Sequence, residues 1–520
     1  MLVVMNSTAN LLTELPPRPF PNVALAALPD SIQTYITFLE NTLRSALHTF
    51  RTILPQQAEQ ITQQAEQIKG LQAQVHDLTA RLNKNSSNSS KPPSSDGLNK
   101  PKKTRSQRSP SGKQPGGQAG RAGKTLNQVE KPDNVVSHAA ASCSGCGHSL
   151  EGVDGVCAEK RQVFDIPETK VQVTEHRAEA KLCPCCGSTT KGNFPANVTA
   201  PAQYGERVQG LYAYFAHQHF IPADRTCQIF EDLWGISISP GTGARIDDKL
   251  FTHLANFEEE VIANLLAAKV AHFDESGMRC EKKLRWVHSV STMNFTFYGL
   301  HEKRGQEAID AFNILPRFEG IAIHDHWSPY FIYQKAQHGL CNSHHLRELD
   351  FIHQEEKEGW AGEMITCLSR AKKSVEKHWP SQFIPDQERI AIEQEYDAII
   401  QKGLAYHATL PPLPSGKRGK QKQRGGKNLL DRFFAKKDSV LLFLRNFSVP
   451  FTNNQAEQDI RMVKLKQKIS GCFRTFRGGQ IFCRIRSYIS TARKQGWRIV
   501  EVLAEAVKGS LRHLPSPQIV

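Results

Sequence analysis

Ala268-Lys-Val-Ala-His-Phe-Asp274-Glu-Ser-Gly-Met-Arg279 and Gly320-Ile-Ala-Ile-His-Asp325-His-Trp-Ser-Pro-Tyr330 decide how this chain is read. Each opens with a short apolar run suited to a buried strand, and each run ends on an aspartate. Between them lie two more strand-like runs, Leu284 to Ser291 and Phe295 to Leu300, and a short helix from Gly305 to Leu315. Three meandering strands, a crossover helix and a fourth strand make an α/β unit. In that order the two acid-bearing strands lie side by side, so Asp274 and Asp325 can share a divalent cation.

This is the strand order of an RNase H-like fold. A two-metal site there needs a third acid, normally from a later helix. Asn453-Asn-Gln-Ala-Glu457-Gln-Asp-Ile-Arg461 opens such a helix, rich in Lys and Arg. Plainer readings compete. With Asn454 as N-cap, Glu457 is the reaching-back residue of a capping box, and an Asp after a strand is a common turn former. Glu275 and Asp459 stand beside the candidates, and each should point away from its neighbour's site. His324, His326, Cys341, His344 and His345 cluster near the second acid. Cys341-x2-His344 is half a metal site whose partners the sequence does not reveal, and packing or phosphate contact is the simpler role. Trp327 and Tyr330 either wall the pocket or stack on a DNA end.

Outward from this unit the chain is long and basic. Its 520 residues suggest three or four folded units, and 39% hydrophobic with 22% charged residues exclude a wholly disordered chain. No apolar run reaches the roughly 18 residues of a membrane span, and Met1 to Phe20 lacks the basic start of a secretion signal. A cytoplasmic, nucleoid-associated protein is expected. The net charge of +15 favours a polyanionic partner, nucleic acid above all. Eight Lys or Arg and no acid lie between Gly97 and Thr125, and Gly416 to Lys427 is a second basic Gly-rich run. From Arg461 to Arg498 there are eleven Lys or Arg without an acid, interleaved with aromatic residues. That third stretch can fold into a structured basic surface, with Arg461, Lys464, Lys468, Arg474 and Arg477 as candidate contacts to double-stranded DNA.

Residues 1–55 form an N-terminal segment, helical from about Ser31 to Phe50, and Pro55 marks a boundary. In 56–83, Gln56-Gln-Ala-Glu-Gln-Ile61 recurs seven residues later. Ile61, Ile68, Val75 and Leu82 share one heptad position, and Leu71 and Leu78 the other, so a coiled coil and a homo-oligomer are expected. A Ser/Pro/Gly-rich basic linker, 84–128, follows. The module 129–196 carries Cys143-Ser-Gly-Cys146 and Cys183-Pro-Cys-Cys186. Two C-x2-C knuckles, each followed by Gly, supply four thiolates for tetrahedral structural zinc. Cys157, Cys185 and His148 are spare, and Arg161 to Val173 is a candidate strand between the knuckles. Residues 197–267 form a helical, pre-catalytic region and a candidate DNA reader, 268–460 the catalytic domain with a helical insertion at about 350–440, and 461–520 a basic C-terminal region.

Several stretches together resemble bacterial DDE-type transposases of the insertion-sequence-66 family. They are Asn85-Ser-Ser-Asn-Ser-Ser-Lys-Pro-Pro-Ser-Ser-Asp96, Gln114-Pro-Gly-Gly-Gln-Ala-Gly120, the paired Cys-x2-Cys knuckles, Asp274-Glu-Ser, His324-Asp-His-Trp-Ser-Pro-Tyr330 and Cys341-Asn-Ser-His-His-Leu-Arg-Glu-Leu349. Asn453-Asn-Gln-Ala-Glu457, Lys468-Ile-Ser-Gly-Cys-Phe-Arg474, Ser487-Tyr488 and Thr491-Ala-Arg-Lys-Gln-Gly496 complete the set, in the family order. The resemblance implies an enzyme that cuts and joins DNA strands with Mg2+ or Mn2+, using Asp274, Asp325 and Glu457 as its acidic triad. It also implies a helical insertion between the second and third acids, and leaves room for helper proteins of the same element. One departure is Gln458, where the family often has Arg; Arg461, one turn along, is placed to keep the phosphate contact. Two other readings stay open: a DNA-binding regulator without catalysis, and a nuclease of the same fold that cuts without joining.

Overall fold

The computed structural model describes residues 25–83, 125–413 and 423–516. Most of the expected linker 84–128, and most of the basic run from Gly416, lie outside these residues. The chain divides into two units, the first Met1–Lys84 with Leu410–Arg424 and the second Asn85–Thr409 with Gly425–Val520, which holds every candidate site.

The first unit carries one long helix, α1, Asp30–Asn83, of 54 residues and roughly 80 Å at 1.5 Å per residue. It runs through Pro55, where the sequence reading placed a break. One proline removes one backbone hydrogen bond at a cost of about 3 kcal/mol, and good helix formers on both sides absorb it. The heptad residues Ile61, Ile68, Leu71, Val75, Leu78 and Leu82 are all exposed.

The second unit begins with the cysteine module, in which the hairpin β1 (Ala180–Leu182) and β2 (Thr189–Lys191) is the only regular sheet among the described residues. The strand expected over Arg161 to Val173 does not form; that segment has no regular secondary structure and is largely exposed, having no neighbouring strand to supply a ladder. Helices α2 (Glu206–Ala213), α3 (Ala223–Trp234), α4 (Pro240–His253) and α5 (Ala255–Leu266) follow. They belong to the core of the body: Tyr212, Phe230, Leu250, Phe257, Val261 and Leu265 share one buried cluster with Ala271 and Phe273 of the sheet.

The sheet has the order β5-β4-β3-β6-β7. Strands β3 (Val270–Cys280), β4 (Lys283–Ser291) and β5 (Thr296–His301) form an antiparallel meander. The β3–β4 turn is only Glu281-Lys282, both at positive φ, 53° and 62°, the geometry that matches strand twist in two-residue hairpins. After α6 (Gln306–Phe312) the chain enters β6 (Ile321–His324), parallel to β3, and then β7 (Gln337–Leu340), parallel to β6. Asp274 thus lies within its strand rather than at the end. What ends there is the pairing with β6, whose last partners are His272 and Ile323, while β4 holds the other edge of β3 out to Cys280.

Helices α7 (Asn342–Gln354), α8 (Gly359–His378), α9 (Asp386–Thr409) and α10 (Gly425–Ala435) form a helical layer between β7 and α11 (Asn454–Ser470). The chain closes with α12 (Phe476–Lys494) and α13 (Ile499–Lys508). Helix α12 covers the edge strand β5 with hydroxyls instead of another strand. Thr296 N–H donates to Thr491 Oγ1 at 3.1 Å and Tyr298 N–H to Ser487 Oγ at 2.8 Å. That satisfies an edge that would otherwise invite pairing with another chain.

Candidate active site

Where β3 and β6 part, Asp274 follows the last paired residues of one strand and Asp325 the end of the other. Each has one oxygen engaged by the backbone: Asp274 Oδ1 accepts from Glu275 N–H at 2.9 Å and Asp325 Oδ1 from Trp327 N–H at 3.0 Å. The second contact is the turn-forming bond an Asp after a strand can make, so Asp325 holds its turn and still presents a carboxylate. Burial, then the charges of Glu275, Asp325 and Glu457, push the Asp274 carboxyl well above its usual range. Asp325 is pushed up to about 7, first by burial and then by Glu275. Such repulsion among buried acids is what a bound cation relieves.

Glu275 alternates to the other side of β3. Its Oε1 takes the Arg304 guanidinium, with Nε at 2.9 Å, and its Oε2 accepts from Tyr330 O–H at 2.5 Å. Arg304 in turn lies 4.2 Å over the Trp327 ring, and Trp327 packs edge-on to Tyr330 at 5.5 Å. Asp459 is likewise spent, paired with Lys494 at 2.8 Å and contacted by Thr296 and Gln455.

Glu457 is placed by a residue the sequence reading passed over. Helix α11 begins at Asn454, with Asn453 at its cap position making no capping bond, so Glu457 sits one place too far along for a capping box. Asn453 spends its side chain on β3 instead: Nδ2 donates to Phe273 O and Oδ1 accepts from His272 Nδ1–H, both at 2.8 Å. The start of α11 is thereby fastened to the two residues preceding Asp274. The doublet Asn453-Asn454 was the only hint, because a cap and a strand clamp look alike in sequence.

The histidines sort into two sets. His345 Nδ1–H donates to Asn342 Oδ1 at 3.0 Å, and its other nitrogen faces His326 at 3.1 Å. His324 faces His338 at 2.9 Å. Burial holds His324 and His326 down to about 3, so these contacts are between neutral rings. His344 stands apart. Among the described residues, one group of three donors lies within 4.8 Å, namely Cys341, His344 and Glu457. Asp274, Asp325 and Glu457 share an electrostatic neighbourhood without being drawn that close together.

In the cysteine module the two knuckles are built alike. Cys143 N–H donates to His148 O and Gly147 N–H to Cys143 O; Cys183 N–H donates to Ser188 O and Gly187 N–H to Cys183 O, all at 2.8–2.9 Å. Gly147 and Gly187 adopt φ of 76° and 73°, which glycine takes without strain. Backbone N–H groups of Gly145 and Cys146 lower the Cys143 thiol, and Ser188 with Cys183 lowers that of Cys186. The structure pairs Cys143 with Cys146 and Cys183 with Cys186, without gathering all four into one compact donor group among the described residues.

The basic candidates divide by their partners. Arg461, Lys468 and Arg474 are exposed, and Arg461 reaches Glu457 Oε2 at 3.7 Å. Lys464 is half-buried, its ammonium held by Gly277 O. Arg477 lies 3.7 Å over the Phe251 ring and 3.4 Å from Asp248.

Comparison with known families now bears on this arrangement. The model of the transposase IS66 family matches residues 201–481, from the helices that precede the sheet to the middle of α12. The chain belongs to the IS66 transposase family. The zinc-finger binding domain of transposase IS66 matches residues 141–187, spanning both knuckles. Residues 45–127 match a family of unknown function (DUF6444), and no curated protein matches the chain. Membership makes a transposase with a finger module the coarse identity of this IS66 chain. Among the described residues no helix is long and apolar enough to cross a membrane.

Proposed function

We propose that this IS66-family chain binds the ends of its element and catalyses metal-dependent cleavage and strand transfer of DNA on an RNase H-like core. Asp274, Asp325 and Glu457 are its acidic triad. The observation that carries the reading is that Asp274 and Asp325 lie buried where two parallel strands part, with the charges of Asp325 and Glu457 both acting on Asp274. The strand order supports an RNase H-like assignment, and the helical layer falls between the second and third acids. The donors suit Mg2+ or Mn2+, because three carboxylates offer the hard oxygen ligands such ions take. When bound, such ions polarise the phosphodiester and offset the charge that builds on it.

The chain's own residues do the positioning. Asn453 holds Glu457 toward β3, and Arg304 with Tyr330 engages both oxygens of Glu275, whose charge still acts on Asp274 and Asp325. The aromatic wall of Trp327 and Tyr330 limits water around the acids. Exposed Arg461, Lys468 and Arg474 lie on and just after the helix that carries Glu457, where phosphates of double-stranded DNA are engaged. Cys143, Cys146, Cys183 and Cys186 hold a structural zinc ion, a role their matched knuckles and lowered thiols suit. The exposed heptad stripe of α1 supports a coiled-coil homo-oligomer, and the reading leaves room for helper proteins of the same element at the nucleoid.

The test is cleavage and joining of DNA bearing the element's own ends, in magnesium and in EDTA, by wild type and Asp274→Ala. Magnesium-dependent joined product from wild type alone is the expected result. Equal strand transfer by the variant overturns the triad, and nicking without joined product favours a nuclease.

A further inference from the structure

Two buried polar atoms, His344 Nδ1 and Glu457 Oε1, have no hydrogen-bond partner and face each other 3.8 Å apart. That is too far for a hydrogen bond. Cys341 Sγ completes the group, one donor atom from each of the three side chains lying within 4.8 Å of the other two. Their positions are fixed by the fold. Cys341 follows β7 and precedes α7, His344 is in the first turn of α7, and Glu457 is in the first turn of α11. The Asn453 N–H donates to Cys341 Sγ at 3.2 Å and fastens the two helix starts together.

We propose that Cys341, His344 and Glu457 bind a zinc-class divalent ion, at a site distinct from the finger cysteines and touching the catalytic pocket only through Glu457. One thiolate, one imidazole and one carboxylate form a borderline-soft donor set that zinc accepts and magnesium, with its demand for oxygen, does not. Zinc bonds of about 2.0–2.3 Å in a tetrahedron set two donors roughly 3.3–3.8 Å apart, so side-chain adjustments of up to about 1.5 Å close the group. The Asn453 N–H on Cys341 Sγ is a bond that a metal-bound thiolate accepts. Arg461 approaches the other carboxylate oxygen, Oε2, which leaves Oε1 to the ion. Three protein ligands leave a fourth position for water or a phosphate oxygen. Bound here, the ion fixes the direction of the Glu457 carboxylate. The site shares Glu457 with the proposed triad but does not require that triad to be catalytic.

Metal analysis of the full chain tests this apart from activity. Wild type is expected to carry two zinc equivalents, one in the finger and one here. Cys341→Ser and His344→Ala should each fall to one, whereas Asp274→Ala should keep both whether or not it still joins DNA. A second measurement leaves all three ligands intact: a Cys183→Ser/Cys186→Ser double variant titrated with Co2+ should retain a near-ultraviolet thiolate-to-cobalt band. Adding Cys341→Ser should abolish that band. Unchanged zinc in both single variants, or no cobalt band in the finger-disrupted protein, overturns the proposal.

Discussion

At the level of single residues, the acids are placed where folding alone would not put them. Burial and three other carboxylates raise Asp274, so Asp274→Asn is expected to raise the Tm of the metal-free protein while strand transfer falls by orders of magnitude. A lower Tm would mean that the carboxylate stabilises the fold. Asp325 gives a pH dependence whose sign can be worked out. Its folded pKa near 7 exceeds an unfolded value of about 4, so the folded state holds the extra proton between the two. This contribution to stability is therefore lost as pH rises from about 4 through 7. His324, His326 and His344, held near 3 by burial, act in the opposite sense, losing stability as pH falls below about 6.5. The clean measurement is a difference: in EDTA, the Tm gain of Asp325→Asn over wild type should be larger at pH 8 than at pH 5. An equal gain at both would show that Asp325 titrates normally.

At the level of elements, the clamps matter more than the caps. Asn453→Ala removes two bonds between α11 and β3 and should cost about 1–3 kcal/mol in denaturant unfolding, since buried partners are left unsatisfied. It should also weaken divalent-ion binding, because Glu457 loses its anchor; an unchanged affinity would detach the clamp from the site. The strands and crossover helix were legible because apolar runs with turn residues between them leave few alternatives, and Asp274 and Asp325 stand out at the ends of those runs. The continuation of β3 through Ser276 and Gly277 was not legible, since small polar residues look like a turn until β4 is seen to pair with them. Nor was the meeting of Cys341 and His344 with Glu457, which depends on two helix starts far apart in sequence being joined through Asn453. Pro55 misled for the converse reason: a local rule for breaking helices was outweighed by the helix-forming sequence on both sides.

At the level of the whole molecule, the charge of +15 favours a polyanionic partner such as the proposed DNA but does not say which cations would meet it, and the partners of each side chain separate them. A cation that neutralises a phosphate releases counterions and contributes about 0.9 to the slope of log K against log salt. A cation already held inside the protein contributes to the fold instead. Arg461→Ala, Lys468→Ala and Arg474→Ala, at exposed positions, are therefore each expected to lower the salt slope by about one without a matching fall in Tm. Lys464→Ala should do the reverse, because its ammonium is held by Gly277 O; Arg477→Ala, at an exposed position but with its side chain on Phe251 beside Asp248, should lower the slope by less than one and the Tm slightly. The measurement is a salt titration of binding to element-end DNA, paired with thermal melts of each variant. If Lys464→Ala changes the slope as much as Lys468→Ala does, the ammonium leaves Gly277 when DNA arrives, and β3 would then be coupled through that bond to the bound duplex. If none of the five changes the slope, the phosphate contacts lie elsewhere in the basic chain, and α11 carries Glu457 without touching the backbone it is proposed to cut.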